Sequence, residues 1–294
     1  MKTLYITKAT YGEIDCTEQI RLKITNNKLV VRSSNSIIGD PLSGVVKFLV
    51  VEGEVNGEPF MENVREGSLL ILPKSKINRL GIFYSNNNHP EIYSAIDKSL
   101  DTIKIASENK ADILTCVWHN MPNNPFHQIQ SWYMSQSHLN QLLQIMQCLY
   151  SAQEMGEYEY VSFLEHDVMY PEGYFDYPDF EDNQVLTNMN YGGVNINGWQ
   201  QRNQNDEPFH QMTMKFKDAI KHCEQILPNA LRTNNGMIET QTMTRIQWNA
   251  PNQPIHINHG VHFTSHSNIY DKVNTYQSHP YWGNHSKYLY LFSK

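Results

Sequence analysis

Between residues 79 and 165, short apolar runs alternate with segments whose apolar residues recur at helical spacing. The runs cover residues 80–84, 112–117 and 160–164, and each is too short to be a buried helix. The segments between them repeat apolar residues at Ile92, Ile96, Leu100 and Ile103, and then at Leu139, Leu142, Leu143, Met146 and Leu149. This order predicts a strand–helix–strand–helix–strand unit, which forms a parallel sheet with right-handed crossovers.

The third run ends in a polar corner formed by Glu165, His166 and Asp167. Ligands of open α/β sheets collect outside the carboxyl ends of the strands, so both acids are expected at the binding crevice. Carboxylates are hard oxygen ligands that suit Mg²⁺ or Mn²⁺ and, through the metal, a diphosphate. An alternative stays open, because acid pairs at strand ends also cap turns or face solvent.

Residues 1–76 have a different pattern, with short alternating runs bounded by turn residues. The predicted strands cover residues 4–6, 20–24, 28–31, 45–51 and 68–72. We expect a small all-β sandwich over 1–76, a linker at 73–76, and a second domain over 77–294. The sandwich is either a binding module or an appendage for folding or oligomerisation.

Composition excludes several classes of function. The net charge is -7, and Lys and Arg form no run, so the sequence indicates no extended basic surface for binding nucleic acid. A local basic groove stays open as an alternative. No apolar stretch approaches the length of a membrane span, and we expect a cytoplasmic protein. The four cysteines form no Cys-Xaa-Xaa-Cys, which favours packed thiols over a zinc knuckle or a disulfide scaffold.

The run that ends in Glu165-His166-Asp167, followed by Val-Met-Tyr-Pro, resembles the acidic motif of metal-dependent glycosyltransferases with the GT-A fold. It is similar to a bacterial and phage branch of that family. The resemblance covers residues from about 78 onward. It implies a nucleotide-sugar donor whose diphosphate lies on Mn²⁺ or Mg²⁺ held by Glu165 and Asp167. The first 76 residues also resemble a small β domain with signatures at Tyr11-Gly12, residues 35–41 and Arg65-Glu66-Gly67.

By the same resemblance, the donor-binding candidates follow the ends of the predicted parallel strands. They are Ser85, Asn86, Asn87, His119 and His166. Ordinary turn chemistry explains the Asn cluster equally well. The sequence contains no Gly-Xaa-Gly-Xaa-Xaa-Gly or Walker motif, so a dinucleotide or P-loop site is disfavoured.

In the family, the region after the metal motif builds the acceptor pocket, which makes Trp199, Gln200 and Arg202 candidates for acceptor binding. An aromatic face stacks on a sugar or base, and amide and guanidinium groups bond hydroxyls or phosphate. The alternative is that these side chains lie at the protein surface and bind no ligand. An inverting reaction needs a base that takes the acceptor proton, for which Glu239 and Asp206 are candidates; a retaining reaction needs none.

Four histidines lie within eleven positions from residue 256 to residue 266. The segment resembles the C-terminal part of the same family, in which a histidine completes the metal ligands. We expect His259 in this role, with His262 next.

The sequence thus predicts an α/β, GT-A-like domain with a mostly parallel sheet flanked by helices, preceded by a small all-β sandwich. The predicted activity is that of a metal-dependent hexosyl- or pentosyltransferase, with a UDP-sugar as the favoured donor. The acceptor is a glycan, a small hydroxylated metabolite or a hydroxymethylated base of phage DNA, and the sequence leaves these three open. Two alternatives remain, a metal-dependent hydrolase and a noncatalytic carbohydrate-binding or viral structural protein.

Overall fold

A computed structural model describes residues 3–73, 78–85, 90–117, 121, 123–133, 135, 137–156, 158–201, 209–234, 243–258 and 275–292. Tertiary contacts divide the chain into two compact units. The first unit comprises Met1–Lys76 and Tyr150–Glu157, and the second comprises Ile77–Leu149 and Tyr158–Lys294. These units differ from the predicted domains, 1–76 and 77–294, only in residues 150–157.

The first unit contains two antiparallel sheets. Its elements are β1 (Leu4–Tyr11), β2 (Ile14–Asp15), α1 (Thr17–Arg21), β3 (Ile24–Thr25), β4 (Lys28–Arg32), β5 (Phe48–Val55), β6 (Glu58–Arg65) and β7 (Leu69–Leu72). The sheet orders are β2-β1-β5-β6 and β3-β4-β7. Ile6 and Val51 from the first sheet and Leu29 from the second are fully buried in one shared core. The arrangement is the predicted sandwich, because β1, β4 and β5 of the two sheets bury alternate residues in that core.

One predicted strand of this unit is wrong. Residues 20–24 alternate in polarity, but Ile20 lies in helix α1 and only Ile24 enters a strand, β3. The Asp15 carboxylate accepts the Thr17 amide two residues on at 2.8 Å, and this Asx turn leads into the helix. Leu22 is 85% exposed, so the alternation marks no buried face.

The three signatures of the first unit meet at the buried Lys47. Its ammonium lies 2.9 Å from Asp40 Oδ1 and 3.4 Å from Glu66 Oε2. The Tyr11 hydroxyl bonds Glu66 Oε1 at 2.8 Å and Asn35 Oδ1 at 2.9 Å. The signature residues therefore form one polar network, and its hydrogen bonds hold the loops around Lys47 in place.

The second unit is built from fourteen further strands among the described residues. They are β8 (Arg79–Tyr84), β9 (Asp112–Val117), β10 (His127–Gln130), β11 (Tyr160–Glu165), β12 (Val168–Met169), β13 (Gln184–Asn188), β14 (Gly192–Asn195), β15 (Gly198–Gln201), β16 (Met212–Lys215), β17 (Thr244–Trp248), β18 (Ile255–Ile257), β19 (Thr275–Tyr276), β20 (Ser278–His279) and β21 (Gly283–Asn284).

The described residues form three further α-helices, α2 (Tyr93–Ser107), α3 (His138–Met155) and α4 (Phe216–Thr233), and 3-10 turns at Pro90–Ile92, Phe209–Gln211 and His285–Phe292. Among the described helices, none is both long and apolar enough to cross a bilayer. Helix α2 packs its apolar face, including Ile96, Leu100 and Ile103, against the buried strand residues Phe83 and Leu164.

The large sheet has the order β10-β9-β8-β11-β16-β13-β17. Strands β10, β9, β8 and β11 run parallel, β16 is antiparallel to both neighbours, and β17 is parallel to β13. Four of these six pairings are parallel, and the predicted α/β class with a mostly parallel sheet is confirmed. Strand β11, which carries the acidic motif, occupies the centre of the sheet.

A smaller sheet lies beyond the motif, in the order β12-β18-β14-β15-β19. Strand β12 follows Asp167 directly and pairs antiparallel with β18, so that Val168 is opposite His256. Strands β14 and β15 pair antiparallel as a hairpin, with Val194 opposite Trp199. Because β11 and β12 are separated by only two residues, the acidic motif lies where the large sheet passes into the small one.

Candidate functional site

The acidic motif occupies the carboxyl end of the central parallel strand. Glu165 is the last residue of β11 and is opposite Tyr84, the last residue of β8. The next residue, Ser85, donates its amide to the Cys116 carbonyl near the end of β9. Asp167 lies beyond the strand, and its carbonyl accepts the Ile257 amide of β18 at 2.7 Å. The three parallel strands thus end together, as the sequence predicts.

Glu165 is paired with a histidine from a distant segment. His210, in the 3-10 turn Phe209–Gln211, places Nδ1 2.8 Å from Glu165 Oε2. Burial opposes ionisation of the carboxyl, and Asp167 adds a like charge. The hydrogen bond from His210 and the positive charges of His210 and His166 outweigh these two effects. The pKa of Glu165 therefore lies below its usual value. Glu165 is a carboxylate anion at neutral pH.

Asp167 is paired with a second histidine. His256 of β18 places Nε2 3.2 Å from Asp167 Oδ2, and both residues are about 5% exposed or less. His166 Nε2 lies 4.0 Å from the same oxygen. The His210 and His256 rings are nearly parallel, with centroids 5.8 Å apart, so the two carboxylate–imidazole pairs form one cluster.

Two buried tyrosines connect the motif to the His210 segment. The Tyr170 hydroxyl accepts the Glu165 amide at 2.8 Å and lies 3.4 Å from the His210 carbonyl oxygen. The Tyr174 hydroxyl donates to the same carbonyl at 3.2 Å. The Tyr191 ring packs edge-on against the His210 ring, at 6.2 Å between centroids. His210 is therefore fixed by contacts on its backbone, its ring and its Nδ1 atom.

Two of the predicted donor-binding residues are described. Ser85 is buried at the end of β8, and its carbonyl accepts the Gln144 side-chain amide of α3 at 2.8 Å. His166 is 8% exposed and lies beside Asp167. The other donor candidates, Asn86, Asn87 and His119, lie outside the described residues.

The predicted acceptor residues are less accessible than expected. Trp199 is fully buried, donates from Nε1 to the Gly283 carbonyl at 3.0 Å, and packs against His279 and Tyr288. Gln200 is 1% exposed. This placement does not support ligand stacking on Trp199, because its ring belongs to the core of the small sheet. Arg202 and the candidate bases Glu239 and Asp206 lie outside the described residues.

The predicted metal ligands His259 and His262 also lie outside the described residues. Within the described part of the chain, no three His, Cys, Asp or Glu residues are grouped so as to hold a metal ion. The chemistry of Glu165 and Asp167 nevertheless fits Mg²⁺ or Mn²⁺, which are commonly held by one or two carboxylates together with substrate phosphates. Further ligands would have to come from the substrate or from residues not described.

Sequence reasoning missed His210 and His256. His256 lies between Ile255 and Ile257. A polar residue inside a short apolar run is a sequence signal for a buried polar contact, and it could have identified His256. His210 offered no such signal in a single sequence. Its pairing with Glu165 joins segments 45 residues apart and depends on the tertiary fold.

Comparisons with known proteins give the following findings. The sequence matches no protein-family model and has no significant match among curated proteins. Among solved structures, it is similar to the galactosyltransferase LgtC in complex with donor and acceptor sugar analogues, with 9% identity and a TM-score of 0.36 over 57% of this chain and 72% of that one.

A second similar structure is a glycosyltransferase involved in the glycosylation of the major capsid of PBCV-1. The identity is 13% and the TM-score 0.38, over 64% of this chain and 95% of the other. Similarity at this level does not assign an activity to the chain.

Proposed function

We propose that this protein is a metal-dependent glycosyltransferase that moves a sugar from a nucleotide-sugar donor, a UDP-sugar in the first instance, to a hydroxyl acceptor. One observation carries the proposal. Glu165 and Asp167 stand at the carboxyl end of the central parallel strand, and each is held by an imidazole from a separate segment.

The charge balance of the cluster supports cation binding. Glu165 is ionised although burial and the neighbouring Asp167 oppose it. Two carboxylates in a partly buried corner are costly unless positive charge compensates them, and the imidazoles of His210 and His166 supply only part of that charge. A bound divalent ion would supply that charge and would stabilise the diphosphate that leaves when the glycosidic bond breaks.

The described residues around the carboxylates have a positioning role. His210 and His256 fix the orientation of one oxygen of each carboxylate, at 2.8 and 3.2 Å, which preorganises the acids. Tyr170 anchors the backbone of Glu165 by accepting a hydrogen bond from its amide. The donor would lie along the ends of β8 and β9, where Ser85 is located.

The acceptor would be a glycan or a hydroxymethylated base of phage DNA. The net charge of -7 favours a glycan, because DNA binding draws most of its affinity from neutralised phosphates. Glu239 and Asp206 remain candidates for a base, and His259 and His262 for further metal ligands. We also propose that the protein acts in the cytoplasm.

The test is a thermal-shift screen of UDP-, GDP-, CMP- and dTDP-sugars with and without Mn²⁺. A ligand that binds only the native state adds about 2.7 kcal/mol at a hundredfold excess over its dissociation constant. We expect one nucleotide to shift the transition only with metal. Asp167→Asn should lose the shift, and the matched variant of the exposed Asp182, Asp182→Asn, should keep it.

Absence of a shift with every nucleotide, from a folded protein, would overturn the proposal. Metal-dependent cleavage of a sugar phosphate without any nucleotide would favour the hydrolase alternative instead.

A further inference from the structure

A cavity of about 640 Å³ opens at one end of the small sheet of the second unit. Its size falls within the usual range of small-molecule sites. Its lining includes four side-chain amides, from Asn190, Gln201, Asn252 and Gln253, and two tyrosine rings, from Tyr276 and Tyr281. Ser278 and His279 complete the polar part of the wall. None of the described lining residues is Asp, Glu, Lys or Arg.

The histidine in this wall is held neutral. Its Nδ1 atom accepts the backbone amides of Tyr281 and Trp282 at 3.1 and 3.2 Å, so the proton is on Nε2. Nε2 then donates to Gln253 Oε1 at 2.9 Å. Burial also lowers the pKa of His279, which agrees with the neutral form. The cavity therefore gains no positive charge from its imidazole.

Three of the four amide groups, those of Asn190, Asn252 and Gln253, are oriented by bonds to the protein itself. Asn190 donates from Nδ2 to the Ala250 carbonyl at 2.8 Å, and Asn252 donates to the Glu172 carbonyl at 3.3 Å. These bonds leave Oδ1 of each Asn to accept a hydrogen bond from a ligand. The bond from His279 to Gln253 Oε1 likewise leaves the Gln253 amino group to donate. Two acceptors and one donor are thus set in place before a ligand arrives.

We infer that this cavity binds a neutral saccharide. Sugar hydroxyls both donate and accept hydrogen bonds, which matches fixed amide oxygens beside an amide donor. The C–H faces of a sugar ring suit tyrosine rings, which are apolar over the ring and polar at one end. A phosphorylated or sialylated ligand would find no cation among the described lining residues, and an apolar ligand would leave the amides without partners.

This site is separate from the carboxylate cluster but close to it along the chain. Asn190 lines the cavity, and the next residue, Tyr191, packs on the His210 ring that holds Glu165. The inference goes beyond the proposed transfer, because the saccharide would be held there with neither nucleotide nor metal.

The test is a microarray of neutral, sialylated and sulfated glycans probed with the full chain in EDTA and without nucleotide. Calorimetric titration with the strongest neutral glycan follows. We expect binding to neutral glycans, with Gln201→Ala and Asn252→Ala each weakening it about tenfold, the equivalent of about 1.4 kcal/mol. Gln277→Ala is the matched control, because Gln277 bonds the Asn197 carbonyl and is not in the cavity wall.

Asp167→Asn should bind the glycan as the wild type does, which separates this site from the donor site. The inference is overturned if no neutral glycan binds, if charged glycans bind better, or if the Gln201 and Asn252 variants bind as tightly as the Gln277 variant. Any of these results would leave the proposed transferase activity untouched, because the assay contains no donor and no metal.

Discussion

Tyr170 and Tyr174 offer a matched test of how the acidic motif is anchored. Both side chains are about 1% exposed, and their rings contact each other at 4.7 Å between centroids. Both hydroxyls lie within 3.4 Å of the His210 carbonyl. Only the Tyr170 hydroxyl also accepts the Glu165 amide, at 2.8 Å. Replacing each tyrosine by phenylalanine removes one oxygen and leaves the ring.

The two substitutions should have unequal costs. Tyr174→Phe removes a single hydrogen bond, which is worth about 0.5–1.5 kcal/mol. Tyr170→Phe removes a long bond to the same carbonyl and also leaves the Glu165 amide without its partner, an additional cost of about 1–3 kcal/mol. We therefore expect Tyr170→Phe to lower the free energy of unfolding by about 2 kcal/mol more than Tyr174→Phe does.

Urea unfolding followed by tryptophan fluorescence measures this difference, because all five tryptophans belong to the second unit. With a slope of about 3 kcal/mol per molar urea, the two midpoints should differ by about 0.7 M. Equal midpoints, or a larger loss in Tyr174→Phe, would refute the assigned role of the Glu165–Tyr170 bond.

Three further predictions concern packing and pH. Gly81→Ala should destabilise the second unit by about 1–3 kcal/mol, because the new Cβ would lie 2.5 Å from Ile113 Cδ1; an unchanged urea midpoint would contradict this. The bond from Tyr11 is the main cause of the lowered pKa of Glu66, so the first unit should lose stability as pH falls below about 4.5. Glu66→Gln should flatten that part of a circular-dichroism pH titration. Burial lowers the pKa of His279, so native-state stability should decrease as pH falls below 6.5, and His279→Gln should reduce that slope in urea titrations.

The sheet around the motif was predictable because its signals are local. Strands β8, β9 and β11 are short apolar runs, and β11 is buried over residues 160–164 before it ends at Glu165. Buried parallel strands read as continuous apolar runs, and helices between them read as a 3.6-residue period. The location of Glu165 at the carboxyl end of a parallel strand follows from these patterns alone.

Local patterns were insufficient where capping or distant contacts decide the structure. Residues 20–24 alternate like a strand, yet Asp15 supports a helical start at Thr17. Arg21 then donates from Nε to the Ile6 carbonyl at 2.9 Å, a contact with β1 that the sequence does not reveal. Tertiary context overrides a weak preference in such short segments.

The partners of the acids and the saccharide cavity could not be predicted for the same reason. His256 reaches Asp167 across 89 positions, and Trp199 is buried by residues 80 or more positions later in the chain. The resemblance to the glycosyltransferase family predicted a ligand contact at Trp199, although the fold uses that ring in its core. Only the three-dimensional arrangement distinguishes the two uses.

The most direct measurement is the binding of Mn²⁺ followed by electron paramagnetic resonance, in which the signal of the free ion decreases as the protein binds it. Titrations with and without UDP should give one bound ion per chain in the wild type and in Asp182→Asn. Glu165→Gln and Asp167→Asn should each weaken that binding at least tenfold. Wild-type affinity in both variants would contradict a metal site at the end of β11.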